Sequence, residues 1–269
     1  MLTLGASIAI AGAGGLAGLW SYHTKWVDIR QVSLGSTQLT TALTVVHLSD
    51  LHGSLRWVNG RLSKLVRRLE PDLVCLTGDL ATRQAQLSRV MNELALIAAR
   101  CPIYFVPGNY EREQQRRLFF KESIVLPPAL SAPGSPVQML LNDGEVLQCK
   151  GNRLLIYGFD NSIYGNERTS PSFLTADPIY RLVLAHSPSI IHYIEERSLP
   201  IDLLLTGHTH GGQVRLHNRT WGAYRHYHCG VREYASGQFF GINRGLGTVK
   251  LPLRWNCRPE ITVYHLKPR

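Results

Sequence analysis

The chain has 269 residues, of which 44% are hydrophobic and 18% charged, and 29 Lys+Arg against 19 Asp+Glu give a formal net charge of +10. This composition excludes disordered, collagen-like and coiled-coil proteins and leaves one large globular domain or two small ones. Five cysteines without a C-x-x-C pair argue against a disulfide framework and a cysteine-rich zinc module, and favour a reducing compartment.

The excess of basic residues predicts an anionic partner, which leaves nucleic acid, an anionic bilayer and a phosphorylated small molecule as classes. Proteins that bind nucleic acid usually concentrate Lys and Arg in a stripe with aromatic residues between them. Here the basic residues are scattered, with only short pairs at Arg67-Arg68 and Arg116-Arg117. A dedicated nucleic-acid-binding role is therefore disfavoured.

Residues 1–24 contain no Asp, Glu, Lys or Arg and are apolar, although Gly and Ala predominate. About 20 such residues suffice for a transmembrane helix, and Trp20 and Tyr22 follow the stretch as interfacial residues do. Lys25 and Arg30 come next, which by the positive-inside tendency leaves the main body on the cytoplasmic side. We interpret the segment as a membrane anchor. A signal peptide, although the basic start typical of one is missing, and a buried or disordered start stay open.

After a predicted linker at residues 25–41, the chain alternates strand-like runs with helical patterns. Strands are predicted at 43–49, 73–77 and 103–106, and a third helix is expected to begin near Glu111, whose carboxylate would cap it. The first two helical patterns place these apolar residues on one face: Val58, Leu62, Leu65, Val66 and Leu69, then Leu87, Val90, Met91, Leu94 and Ile97.

The second half of the chain begins with three strand-like runs within residues 137–159 that have no helix between them, which predicts hairpins. A strand at 181–186, a helix that carries Ile190, Ile191 and Ile194, and a strand at 203–208 follow. Short strand-like runs, including QFFGI and ITVYHL, fill the last sixty residues. The pattern predicts a single α/β domain over 42–266, with two β-sheets packed together and helices outside.

Five short blocks place side chains that bind metals directly after apolar runs. The carboxyl ends of strands are where ligands converge in α/β sheets, so the blocks are expected to meet. Imidazoles, carboxylates and an amide suit Zn, Fe or Mn better than Ca or Mg, and seven ligands suit two metals about 3.5–4 Å apart that share a carboxylate. In chain order the blocks are Asp50-Leu51-His52, Gly78-Asp79, Gly108-Asn109-Tyr110-Glu111, Ala185-His186 and Gly207-His208-Thr209-His210-Gly211-Gly212.

In this order the blocks DLH, GDL, GNYE, a lone His and GHTHGG resemble the signature of the calcineurin-like dinuclear metallophosphoesterases, over roughly residues 42–266. The resemblance implies a β-sandwich flanked by helices and two divalent metal ions, Mn, Fe or Zn. It also implies that a hydroxide bridging the two metals attacks phosphorus in line while the ions offset negative charge on the phosphoryl oxygens.

The resemblance assigns roles to residues of this chain. Asp50, Asp79, Asn109 and His186 are the implied catalytic residues, and Asp79 bridges the metals. The implied ligands are Asp50, His52, Asp79 and His210 for one metal, and Asp79, Asn109, His186 and His208 for the other.

Substrate contacts are predicted at Tyr110, Gly211, Gly212 and Arg215. The glycines allow a phosphate to approach the backbone, and Arg215 can pair with a phosphate oxygen. Many members of the family carry a His at position 110 that is thought to protonate the leaving oxygen. A phenol, with a pKa of about 10, is a poor acid at neutral pH, so leaving groups that are already stable anions are favoured.

A histidine-rich tract follows the blocks, His226-Tyr227-His228-Cys229. With no second pair of ligands nearby, we interpret it as a loop that shapes the substrate pocket, together with Tyr224 and Arg225. His47, inside an apolar run, is expected to be a core residue or to support the metal ligands.

The favoured function is a membrane-associated, metal-dependent hydrolase of a phosphodiester or pyrophosphate bond. Its expected partners are the membrane surface and a phosphorylated small molecule. A lipid-linked substrate belongs to this class of small molecule and would also lie at the membrane surface. One alternative resembles the UDP-2,3-diacylglucosamine pyrophosphatases of lipid A synthesis, which also depart from His at this position. A nuclease and, from another class, a non-catalytic metal-binding scaffold stay open. The pattern predicts neither the metal identity nor the oligomeric state.

Overall fold

A computed structural model describes residues 15, 17–117, 120–160, 162–174, 179–216 and 224–269. Short apolar runs rich in β-branched residues pair into two six-stranded sheets. The predicted strands at 73–77 and 103–106 have these bounds in the structure, and the strand predicted at 43–49 ends one residue earlier.

The first sheet contains both ends of the domain. Its strands are β1 (Asp28–Ser36), β2 (Leu43–Leu48), β5 (Leu73–Thr77), β6 (Ile103–Val106), β9 (Gln138–Met139) and β16 (Glu260–Pro268), in the spatial order β1-β16-β2-β5-β6-β9. Strands β2, β5, β6 and β9 run parallel to one another, whereas β16 is antiparallel to β2. The carboxyl ends of β2, β5 and β6 therefore meet at one edge.

The second sheet contains most of the strands predicted in the second half of the chain. Two exceptions lie in the first sheet: the first run within residues 137–159, which becomes β9 and pairs in parallel with β6 instead of forming the predicted hairpin, and ITVYHL, which lies in β16. The members of the second sheet are β10 (Asp143–Cys149), β11 (Asn152–Gly158), β12 (Tyr180–Leu184), β13 (Leu203–Thr206), β14 (Gly230–Ala235) and β15 (Gln238–Ile242), in the order β10-β11-β12-β13-β15-β14. The four central strands are parallel, and antiparallel partners form both edges.

Four helices are described: α1 (residues 17–25), α2 (Leu62–Arg67), α3 (Leu87–Ala98) and α4 (Ile190–Glu196). The predicted apolar face of α3 is buried at all five positions, and so are the three isoleucines of α4. The first helical pattern is shorter than predicted, because Val58 lies outside α2 and is 62% exposed. Single 3₁₀ turns occur at Gln84–Gln86, Pro128–Leu130, Ser162–Tyr164, Pro171–Leu174 and His210–Gly212.

Three apolar clusters show how the layers stack. Val45, Tyr104 and Leu182 belong to a cluster between the two sheets, and Leu94 of α3 joins a second cluster with residues of the first sheet. Ile190 of α4 joins a third with residues of the second sheet. The layers are therefore helices, sheet, sheet and helix, which confirms the predicted fold class of two packed sheets flanked by helices.

The prediction of a helix that begins near Glu111 is wrong. The backbone there forms an antiparallel hairpin of β7 (Glu113–Arg117) and β8 (Phe120–Ser123). A separate, smaller hairpin is formed by β3 (Arg56–Trp57) and β4 (Gly60–Arg61). Residues 113–117, EQQRR, are good helix formers without an apolar stripe. Propensity alone is a weak force, so strand pairing decides the conformation.

The segment at residues 25–41 also differs from the predicted linker. Its residues 28–36 are β1, which pairs along its whole length with β16 at the other end of the chain. A strand at the edge of a sheet depends on this distant partner, so the local pattern does not reveal it. Most of the predicted anchor at residues 1–24 lies outside the described residues. Among those that are described, no helix has both the length and the apolar character needed to cross a membrane.

Candidate metal centre

The five sequence blocks lie at the carboxyl ends of β2, β5, β6, β12 and β13, on the same end of both sheets. The turns are packed closely: a Cβ on Gly207 would lie 1.7 Å from Ser49 Oγ, so only glycine fits there. Several backbones are also strained, with positive φ values between 45° and 66°. Such strain costs about 1–3 kcal/mol per residue and is typical of functional sites. The strained residues are Asp50, His52, Asp79, His208 and His210.

The first group of side chains joins Asp50, His52, Asp79 and His210, all buried. Nε2 of His52 lies 3.1 Å from Nε2 of His210 and 3.6 Å from Oδ2 of Asp79. Nε2 of His210 is in turn 3.4 Å from Oδ1 of Asp50. Two imidazole nitrogens and two carboxylate oxygens thus face one point.

The second group joins Asp79, His186 and His208. Nε2 of His186 lies 3.4 Å from Oδ2 of Asp79, 2.9 Å from Nδ1 of His208 and 3.2 Å from Oδ1 of Asn109. Asp79 is shared by both groups. The structure therefore brings together all seven predicted metal-binding residues around one shared carboxylate.

The donor set fits a pair of cations. Oδ1 of Asp50 is buried and accepts no hydrogen bond from the described residues, which is costly for a carboxylate oxygen unless a cation binds it. The ring nitrogens of His52 and His210 face each other at a distance where both can direct lone pairs at one ion. Carboxylate, imidazole and amide donors suit Mn, Fe or Zn.

Electrostatics favour positive charge at the same place. Burial, joined by the charge of Asp79, raises the pKa of Asp50 to about 6 against the opposing effect of His186. Burial lowers the pKa of His52 to about 4, so its ring is neutral at pH 7 and can donate a lone pair. Burial would also lower the pKa of His186, but the charge of Asp79 raises it to about 10. A cation bound beside Asp79 would offset the same negative charge that the proton on His186 offsets.

Further hydrogen bonds orient the proposed ligands. Oδ2 of Asp50 accepts hydrogen bonds from the Ser49 hydroxyl and, at 3.0 Å, from the amide of His208. The amide of Tyr110 donates to Oδ1 of Asp79 at 2.9 Å, and Nδ1 of His186 lies 2.8 Å from the Thr77 carbonyl. Supporting contacts of this kind fix the rotamers and tautomers of metal ligands.

Glu111 has a different role from the helix cap that the sequence predicts. Its buried carboxylate accepts three backbone hydrogen bonds, from Asp79 at 2.9 Å, from Leu80 at 2.7 Å and from Gly108 at 2.7 Å. It therefore joins the turn after β5 to the turn after β6. The signal was its place in the GNYE block, although the helical pattern assigned to the next residues obscured it.

Sequence reasoning missed Arg254. This fully buried guanidinium donates to the His210 carbonyl at 3.3 Å, and its Nη2 lies 3.3 Å from Nδ1 of the His210 ring. No motif surrounds Arg254, so only the folded chain reveals the contact.

The predicted substrate residues occupy different places. Tyr110 and Gly212 line a cavity of about 410 Å³ that opens onto Asp79, His208 and His210. Gly211 is buried, and a Cβ there would lie 2.7 Å from the Cys257 sulfur and 2.8 Å from Arg244 Cγ, so its side faces the protein interior. Arg215 lines a separate pocket on the other side of this turn.

Tyr224 also lines the cavity, and its hydroxyl hydrogen-bonds Nε2 of His208 at 2.7 Å. This agrees with the expectation for residue 224. Arg225 and the tract at residues 226–229, expected to shape the same cavity, instead line the separate pocket that contains Arg215. His47 is fully buried, with Nε2 2.9 Å from the Thr77 hydroxyl. It is a core residue, as expected.

A family model described as calcineurin-like phosphoesterase matches residues 43–212, which include every proposed metal ligand. The chain belongs to the calcineurin-like phosphoesterase family. This confirms the resemblance carried by the five blocks. The phosphoesterase is a metal-dependent phosphoester hydrolase, and its clustered Asp and His residues could bind a metal pair.

Three curated proteins are similar in sequence to this phosphoesterase. The uncharacterised metallophosphoesterase YkoQ of Bacillus subtilis is 25% identical, over 91% of this chain and 92% of its own. The phosphodiesterase YaeI of Escherichia coli is 27% identical, over 82% of this chain and 81% of its own. A transmembrane protein with metallophosphoesterase domain from Bos taurus is 27% identical, over 82% of this chain and 52% of its own.

Proposed function

We propose that this phosphoesterase is associated with a membrane and hydrolyses a phosphodiester or pyrophosphate bond with two divalent ions held by the seven side chains. The carboxylate of Asp79, shared by both groups of ligands, is the observation that carries the proposal. Asp50, His52 and His210 would complete one ion site. Asn109, His186 and His208 would complete the other.

When bound, the two ions lower the pKa of water and offset the negative charge of the phosphoryl oxygens. The protein positions the reacting groups. The phosphate enters the 410 Å³ cavity between Tyr110 and Lys250, whose ammonium group attracts the anion. Asn109 and His186 hold one side of the centre, the carboxylate of Asp50 holds the other, and Asp79 lies between them.

Tyr110 limits which bonds are cleaved readily. Burial, and then the charge of Asp79, raises the pKa of its hydroxyl to about 12. The phenol therefore stays protonated at pH 7 and can donate a hydrogen bond to the leaving oxygen, but it is a weaker acid than a histidine. This favours leaving groups that are stable anions, such as the phosphate monoester released from a pyrophosphate or a phenolate.

A pyrophosphate that links a nucleotide to a lipid is therefore the substrate class we favour, and a UDP-2,3-diacylglucosamine pyrophosphatase is the specific alternative. Such a substrate would suit the membrane association proposed above. Leu19, Trp20, Tyr22 and Trp26 at α1 are 40–47% exposed, as suits residues at a bilayer interface, and the Bos taurus relative is named a transmembrane protein. A domain on the cytoplasmic side remains part of the proposal.

Hydrolysis of bis-p-nitrophenyl phosphate, with Mn²⁺ added and with EDTA, tests the reaction. We expect Asp79→Asn to lose at least about a thousandfold in kcat/KM together with bound metal, because the shared ligand is removed. Asp143→Asn, an exposed carboxylate on β10, is the matched control and keeps both. Wild-type activity and metal content in Asp79→Asn would refute the proposal.

Substrate preference is tested with the wild-type enzyme. A UDP-linked diacyl sugar should be cleaved faster than single-stranded DNA or a dialkyl phosphate. Faster cleavage of DNA would make the protein a nuclease. Metal binding without turnover of any of these compounds would instead indicate a non-catalytic scaffold.

Membrane association is tested by sedimentation of the full chain with vesicles of phosphatidylglycerol. Trp20→Ser with Trp26→Ser should release the protein, whereas Val146→Ser, an exposed apolar residue on β10, should not. Equal sedimentation of both variants would contradict interfacial binding through α1.

A further inference from the structure

A second pocket lies where the open edges of the two sheets meet. Gly230 of the edge strand β14 approaches the guanidinium of Arg30 on the edge strand β1, and a Cβ there would lie 2.2 Å from Arg30 Nη1. The cavity has a volume of about 930 Å³, which is in the range of sites for small organic ligands. We name it the arginine pocket after the charged residues that line it: Asp28, Arg30, Arg215, Arg225, Arg232 and Arg244.

The arginine pocket carries more positive than negative charge. Asp28, the carboxylate that lines it, is shared by Arg244 at 2.9 Å and Arg258 at 3.0 Å, and Arg244 also pairs with Glu260. Within the part of the chain that the structure describes, Arg30 and Arg232 have no ion-pair partner. Clustered guanidinium groups repel one another and raise the local potential, so the pocket favours an anion.

The arginine pocket adjoins the proposed metal centre. Arg244 packs on the turn that carries His210, because a Cβ on Gly211 of that turn would lie 2.8 Å from Arg244 Cγ. Tyr224, whose hydroxyl contacts His208, is followed directly by Arg225 of the pocket. The pocket and the metal centre are therefore separated by one turn of the backbone.

We propose that the arginine pocket binds a phosphate group other than the one that is hydrolysed. The planar guanidinium of an arginine can donate two parallel hydrogen bonds to the oxygens of one phosphate group. A phosphoryl group therefore suits this pocket better than a neutral sugar. The group is either the second phosphate of the substrate or the headgroup phosphate of an anionic lipid. The first source rests on the function proposed above, because it requires a substrate with two phosphates.

Direct binding tests the pocket without turnover. Inorganic phosphate is titrated calorimetrically into the metal-loaded full chain and into Arg30→Gln/Arg232→Gln. The control is Arg100→Gln, an exposed arginine beyond α3. We expect the wild type and the control to bind one phosphate more than the double variant, or to bind it about tenfold more tightly, since charged hydrogen bonds are lost. Equal stoichiometry and affinity in all three proteins would overturn the proposal.

Two further measurements identify the source of the phosphate. If it belongs to the substrate, the double variant loses about tenfold in kcat/KM for a pyrophosphate-linked diester relative to bis-p-nitrophenyl phosphate. If it belongs to a lipid, the variant loses its preference for phosphatidylglycerol over phosphatidylcholine vesicles. A wild-type protein that hydrolyses nothing would refute the proposed function, yet the phosphate titration would still decide on the pocket.

Discussion

Arg254 and His210 are joined by two contacts, one to the backbone carbonyl of the histidine and one to its ring, both at 3.3 Å. The same arginine donates its backbone amide to the Thr24 hydroxyl at 3.1 Å, at the end of α1. Its guanidinium also donates to the Gly247 carbonyl at 2.6 Å. One buried residue therefore connects α1, which contains the last residues of the predicted anchor, with a proposed metal ligand.

Replacement of this arginine should weaken metal binding. Arg254→Lys keeps the charge but loses the planar fork, so His210 is no longer held in place, and we expect apparent Mn²⁺ affinity to fall about tenfold to a hundredfold. Metal content after dialysis and circular dichroism measure affinity and folding separately. Arg258→Lys, which contacts Asp28 and not His210, is the control. Unchanged affinity in a folded Arg254→Lys protein would show that the contact does not position the ligand.

Glu111→Gln should loosen the turn that carries Asp79. A glutamine amide has one acceptor oxygen and a donor in place of the second, so at least one of three buried amides loses its partner. We expect the free energy of unfolding to fall by about 2 kcal/mol. Urea denaturation measures it, with Glu145→Gln, an exposed residue of β10, as control. If both variants unfold at the same urea concentration, the hydrogen bonds of Glu111 do not stabilise the two turns that they join.

Tyr110→His should change the range of leaving groups. A histidine is a stronger acid at neutral pH, so the gain in kcat should be about tenfold or more for alkyl phosphate diesters and small for p-nitrophenyl esters, whose leaving group needs no proton. Rates across esters with leaving groups of graded pKa measure this. Tyr224→His, on the other side of the cavity, serves as comparison. An equal gain for every ester would contradict the role assigned to Tyr110.

Glu93 should contribute stability that depends on pH. Burial would raise the pKa of its carboxyl, but hydrogen bonds from the Arg61 side chain and from Ser63 outweigh burial and lower it below the ordinary value of 4.5. A lowered carboxyl pKa contributes stability above the unfolded pKa, and this contribution is lost as the pH falls through the folded pKa.

Glu93→Gln should therefore cost about 2 kcal/mol of unfolding free energy at pH 7, and the difference from wild type should shrink as the pH falls below the ordinary carboxyl pKa and through the lowered pKa of the folded state. Unfolding by urea between pH 3 and pH 7 measures it. Glu196→Gln, whose carboxylate is 72% exposed, should show no such dependence. A constant difference between Glu93→Gln and wild type at all pH values would assign the cost to packing instead of charge.

Local sequence patterns were enough for much of the fold. The buried face of α3 and the bounds of β5 and β6 follow from hydrophobic periodicity, which is a property of neighbouring residues. The five blocks also predicted the convergence of Asp50, Asp79 and His186, because each follows a strand and parallel strands end at one edge.

The other features depend on partners far along the chain. Strand β1 forms because β16 pairs with it along its whole length. The hairpin of β7 and β8 forms in place of the predicted helix, which had no apolar face to bury. Arg254 contacts His210 only because the folded backbone brings the two residues together. The arginine pocket likewise joins β1, β14 and the turn after β13. Hydrophobic spacing encodes which face of a segment is buried, whereas hydrogen-bond partners and clustered charges are decided when distant segments pack together.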